Sequence, residues 1–188
     1  MPSHQFIAQC CYSALMATTL LFTLVSMLTP GWRYIIKGNQ IGEYDNSNTI
    51  NSGIFVCDIE GMSDCMAKRS TVDTLIGVFL ILIVLLELIA LGWSIASFVF
   101  ADKEGTSRRK LILFTPLSVF SFLICGLFLL IILLFALKQN GQIEFDLNMS
   151  VAMGANIGYS FIICCFAFVL AIFSVPAGLF LTFLRENT

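Results

Sequence analysis

Seven cysteines, one histidine and a carboxyl near the middle of an apolar run are the reactive or ligating side chains of this 188-residue chain. Cys57 and Cys65, with seven residues between them, lie in its most polar and turn-rich stretch, Trp32–Cys65. Two thiols across so short a turn suit a disulfide, which would contribute roughly 2–3 kcal/mol by the chain-entropy argument; free thiols are the alternative. No histidine or further cysteine lies nearby to make a metal site. Cys10 and Cys11 sit near the start of the first apolar run, where S-acylation competes with a simple buried or lipid-facing role. Cys164 and Cys165 fall inside the last apolar run and are expected to be inert. His4 reads as a solvated tail residue. There is no C-x-x-C, phosphate loop or nucleophile–base pair, so no catalytic residues, metal or cofactor are expected and the chain reads as a non-enzyme.

The elements that must position these groups are apolar. Hydrophobic residues make up 58% of the chain and charged residues 12%, well away from a soluble domain. Net charge is −2, which gives no field for nucleic acid. Four apolar segments, about 6–28, 72–100, 111–137 and 153–184, each exceed or match the roughly 20 residues a membrane span needs. The first has no basic residue before it and a poor cleavage site, and reads as an uncleaved signal anchor. The connector 102–110 holds Lys103, Arg108, Arg109 and Lys110, which places it in the cytoplasm. A disulfide in the first connector wants an oxidising side. With four spans the two arguments agree: both termini inside, loops 29–71 and 138–152 outside, in the plasma membrane.

Within the spans, Glu87 is the ionisable residue at depth, a functional candidate by default. The competing expectation is a neutral carboxyl hydrogen-bonded to Thr18, Thr19, Ser121 or a backbone carbonyl. Ala90, Ser94 and Ser97 form a small-residue stripe, Gly154 and Gly158 form a GxxxG pair at the start of the fourth span, and both suit close helix contact. Pro176-Ala177-Gly178 marks a kink near the fourth span's inner end. Outside, Thr29-Pro30-Gly31 ends the first helix and sets Trp32 at the interface. Trp32–Lys37 and Gln40–Tyr44 read as strands about a Gly38-Asn39 turn, Asp45–Asn51 as an exposed tip, and Ile54–Ile59 as another strand. In the second outer loop Ile143, Phe145, Leu147 and Met149 alternate strictly with polar residues, the pattern of a half-buried strand over Gln142–Met149. Its open edge makes Glu144 and Phe145 candidate partner contacts, with Gly154 and Gly158 as a second candidate face. The sequon at Asn148 lies too close to the fourth span to be expected to carry sugar.

Pro30-x-Trp32-Arg33, then Gly53-Ile54-Phe55, then Cys57 and Cys65, resembles the claudin superfamily of claudins, epithelial membrane proteins, peripheral myelin proteins and stargazin-like channel subunits. That group's outer-loop signature is W, then G-L-W, then two cysteines. Here Phe55 stands for the second Trp and the cysteine spacing is slightly short, the pattern of a divergent member. The resemblance implies an all-α membrane four-helix bundle with a small extracellular antiparallel β-sheet, the cysteines clamping two strands. It also implies action in cell junctions, adhesion or a paracellular barrier, or as an auxiliary subunit of a larger channel or receptor. Partners would be membrane lipid and other proteins, either copies of this chain or a pore subunit. The chain ends in Glu186-Asn187-Thr188, without the apolar terminal residue that anchors many claudins to scaffolds. The outer loops carry balanced charge and give no strong ion-selectivity prediction.

Overall fold

The computed structural model describes residues 4–36, 49–55, 71–101, 107–139 and 156–186. Four helices run His4–Leu28 (α1), Thr71–Ala101 (α2), Ser107–Gln139 (α3) and Tyr159–Glu186 (α4). Each contains a stretch long and apolar enough to cross a membrane: Phe6–Leu28, Thr71–Ser97, Leu117–Lys138 and Tyr159–Leu181. The shortest of these, 22 residues, is about 33 Å of helix, enough to span the hydrocarbon core. Around the bundle α1 neighbours α2 and α4, and α3 neighbours the same two.

The inward faces meet in one core that includes Met16, Ile76, Ile83, Phe128 and Ala167. The outward faces carry large apolar side chains, among them Leu85, Phe122, Phe166 and Phe173, the surface expected of a bundle solvated by lipid. Several hydroxyls and one amide, which lipid cannot satisfy, are turned inward and paired. Gln9 Nε2 donates to Ser94 O at 3.0 Å, Ser13 and Ser94 hydroxyls meet at 2.8 Å, and Tyr12 reaches across the bundle to Leu117 O and Ser121 Oγ. Ala90, Ser94 and Ser97 are all buried, and Ser94 lies at the contact of α2 with α1.

Three short strands sit at one end of the bundle: Arg33–Ile36 (β1), Thr49–Ser52 (β2) and Asn156–Ile157 (β3), in the order β2-β1-β3. Both pairings are antiparallel, Arg33 opposite Ser52 on one side and opposite Ile157 on the other. Two expectations change here. The strand beside β1 is Thr49–Ser52, which takes in the end of the stretch Asp45–Asn51 read as an exposed tip, while Ile54 and Phe55 form a bend and not a strand. The fourth helix starts at Tyr159 and not near Met153. Gly158 and Asn156 are weak helix formers, and Asn156–Ile157 gains strand pairing with β1 instead. Helix α4 continues through Pro176. The sequence strands Gln40–Tyr44 and Gln142–Met149 lie outside the described residues.

Candidate functional site

Helix α1 ends because Pro30 has no N–H to offer. Thr29 N donates to Val25 O at 3.1 Å, and the next acceptor, Ser26 O, would take the amide of residue 30. Trp32 supplies the missing donor: its Nε1 lies 2.8 Å from Ser26 O. The indole is 1% exposed and packs edge-on against Phe135 of α3 and Phe161 of α4, at 5.8 and 6.0 Å between centroids. Those two rings stack on each other at 4.2 Å. One side chain therefore closes the hydrogen-bond ladder of α1 and plugs the gap between α3 and α4, with aromatic geometry that adds to simple burial.

The backbone on either side of Trp32 is laced to the start of α4. Gly158 N donates to Trp32 O at 3.1 Å and Ser160 N to Gly31 O at 2.9 Å, which carries the β1–β3 ladder on into the first turn of the helix. Ser160 is the centre of this lacing. Its hydroxyl accepts from Gly31 N at 3.0 Å and lies 2.6 Å from Thr29 Oγ1, and its carbonyl accepts from Ser26 Oγ at 3.0 Å. The backbones approach so closely that Gly158 has no room for a side chain, and Gly31 has room only if the Tyr159 ring moves. A Cβ on Gly158 would run into the Gly31 carbonyl, and one on Gly31 into the Tyr159 ring.

The other half of the joint rests on α2. Ile54 is buried and Phe55 half-buried. Both lie over Gly77, where an added Cβ would sit 3.0 Å from Phe55 Cζ and 3.3 Å from Ile54 Cγ2. Beyond Gly77, Asp73 of α2 pairs with Lys138 of α3 at 2.7 Å, each side chain 18% exposed. Deeper in the bundle, Glu87 is fully buried. Its Oε1 accepts from Thr23 Oγ1 at 3.1 Å, and the same hydroxyl donates to Thr19 O at 2.9 Å. Glu87 Oε2 has no hydrogen-bond partner among the described residues. The Cys164 thiol lies against Ser26.

The family model for claudin-like tight junction proteins matches residues 1–184. This chain belongs to the claudin-like family. No curated protein matches it.

In the claudin-like chain the described part of the signature is split between two seats. Trp32 enters the α1–α3–α4 corner, and Ile54 and Phe55, which follow Gly53, settle on α2. Cys57, Cys65, Glu144, Phe145 and Gly154 lie outside the described residues. Gly158 is corrected: it precedes α4, is buried against Gly31, and is not a helix face open to a partner. The partner of Glu87 is Thr23, not Thr18, Thr19 or Ser121. Sequence reasoning passed over Ser26, Ser160, Gly77 and the Asp73–Lys138 pair, and saw Gly31 only as part of a helix stop. Pro30 was the available signal for the first of these, since a proline four residues after Ser26 leaves that carbonyl vacant.

Proposed function

We propose that this claudin-like membrane protein acts at contacts between cells, in a junction, adhesion or paracellular-barrier role, through the sheet that β1 organises. The observation that carries the reading is the seating of that sheet: Trp32, Gly31, Ser160, Ile54 and Phe55 fasten it to all four helices. A surface that must hold a partner across a gap gains from being fixed to its anchor in this way, and the family to which the chain belongs is described as one of tight junction proteins. The reading takes both termini as cytoplasmic and loops 29–71 and 138–152 as extracellular, from the basic connector 102–110. It takes Cys57 and Cys65 as a disulfide on that outer side, which predicts that neither thiol is labelled in non-reduced, surface-delivered protein. Labelling of both would refute the bond.

We assign the contact itself to Gln142–Met149, whose alternating pattern predicts a strand with an open edge. The test is expression in non-adherent cells that form no junctions of their own. Fluorescently tagged protein should concentrate where two expressing cells touch. Phe145→Asp should reduce surface delivery, and Glu144→Lys should keep delivery and lose the enrichment. Even distribution of well-delivered protein, together with a pore subunit recovered in mild detergent, would replace this reading with that of an auxiliary channel or receptor subunit.

A further inference from the structure

Five free cysteines are described, and they differ in where they face. Cys164 is buried, Cys125 and Cys165 are partly covered, and Cys10 and Cys11 are exposed on the bundle's outer surface. The rotation of α1 that puts them there is fixed. Gln9 is held by Ser94 of α2, Ser13 by the same residue, and Tyr12 by Leu117 and Ser121 of α3. With positions 9, 12 and 13 tied inward from two directions, positions 10 and 11 have no face but the lipid.

The surface next to them is also unlike the rest. Going towards the middle of the bundle, the exposed positions of α1 are Ala14, Ala17 and Thr18, with Leu21 the first large one. The Thr18 hydroxyl is satisfied by Ala14 O at 2.8 Å, so this lane is shallow and effectively apolar. From Cys10 to Leu21 it is about 16 Å long. The outward faces of α2, α3 and α4 carry Leu, Ile, Val and Phe over comparable stretches.

We propose that Cys10 and Cys11 are S-acylation sites whose fatty chain lies in the lane formed by Ala14, Ala17 and Thr18. Both thiols stand within two turns of Phe6, where the first span begins, the juxtamembrane depth at which cysteines are acylated. The donor is a long-chain acyl-coenzyme A. The cysteine sulfur attacks the donor's thioester carbonyl, the new carbon–sulfur bond forms as the old one breaks, and coenzyme A leaves as the thiol with the cysteine's proton. No electrons are exchanged with an oxidant or reductant. The inference rests on the cytoplasmic placement of the N-terminal end proposed above.

The test is acyl exchange on the full-length protein from cell membranes: free thiols are blocked, thioesters are cleaved with hydroxylamine, and the released thiols take a polyethylene-glycol maleimide mass tag. Wild type should show one or two hydroxylamine-dependent steps. The Cys10→Ser/Cys11→Ser double variant should show none, and Cys125→Ser should match wild type. Absence of any step in wild type, or steps that survive in the double variant, would overturn the assignment. An epitope at the N-terminus separates this failure from that of the topology. If antibody reaches it only in permeabilised cells and no step is seen, acylation alone is wrong and the junction reading stands. If antibody reaches it on intact cells, the topology and the acylation both fall.

Discussion

Replacing Trp32 by Phe tests the claim that this side chain finishes the first helix. Phenylalanine keeps a ring between Phe135 and Phe161 but removes the Nε1 donor 2.8 Å from Ser26 O. Pro30 cannot replace that donor, so a buried carbonyl loses a partner, at a cost of about 1–3 kcal/mol. Trp32→Ala also empties the plug, and large aromatic truncations in cores cost about 3–5 kcal/mol. The two parts separate in a double-mutant cycle with Pro30→Ala, which restores an amide at position 30. In that background Ser26 O has its own helical donor, and the Phe substitution should cost less than about 1 kcal/mol. Unfolding of purified protein in mixed micelles of increasing denaturing-detergent fraction gives the free energies, and surface biotinylation gives delivery in cells. An equal cost for Trp32→Phe with and without Pro30 would refute the ladder argument. Trp32→Ala that reaches the surface normally and loses only partner binding would make the residue a contact and not an anchor.

The glycines should rank by what a methyl group meets. Gly158→Ala, aimed at the Gly31 backbone, should abolish surface delivery; Gly31→Ala, aimed at the half-exposed Tyr159 ring, should be milder; Gly92→Ala, with open space around it, should be neutral or stabilising by up to about 1 kcal/mol. Equal delivery of all three would mean that the strands do not approach as described. Glu87→Gln keeps the reach to Thr23 and should express close to wild type; normal expression with loss of a transport or gating phenotype would make the carboxyl functional. Neutralising either Asp73 or Lys138 should cost about 1 kcal/mol, discounted because the pair is partly exposed and screened. Their coupling should shrink in high salt, and a cycle with no coupling at low salt would remove the pair from the account.

Hydropathy made the four spans legible because lipid imposes a length and a composition on each segment by itself. Trp32 was legible as an interfacial residue just past a helix stop. What stayed hidden depends on register between segments. Thr23 lies level with Glu87, and Ser13 with Ser94. Counted from these pairs, the end of α1 at Leu28 is level with residues 79–82 of α2, which therefore rises about 12–16 Å further. Matching the two ends, Leu28 to Thr71, would set Glu87 level with Tyr12 and not Thr23, so the span ends alone do not give its partner. The start of α4 was hidden for a related reason. The run from Met153 is apolar on average, and pairing with β1 makes Asn156–Ile157 strand instead of helix. The hydroxyl of Ser160 looks like any serine at a helix start until Gly31 is beside it.

The missing amide of Pro30 has a mechanical consequence. A helix that ended on its own last carbonyl would leave a loose link before the strand, and tension on the sheet would first take up that slack. Here the turn is bridged on both sides: the indole of Trp32 grips α1, and the amides of Gly158 and Ser160 grip the chain at Trp32 and Gly31. Tension entering through β1 is thus divided at once between α1 and α4, along bonds loaded side by side rather than opened one after another. In a pulling experiment on the protein held in a bilayer, the sheet should not come away at low force ahead of the helices, and an early, separate extension of the strands would show that the link is slack after all.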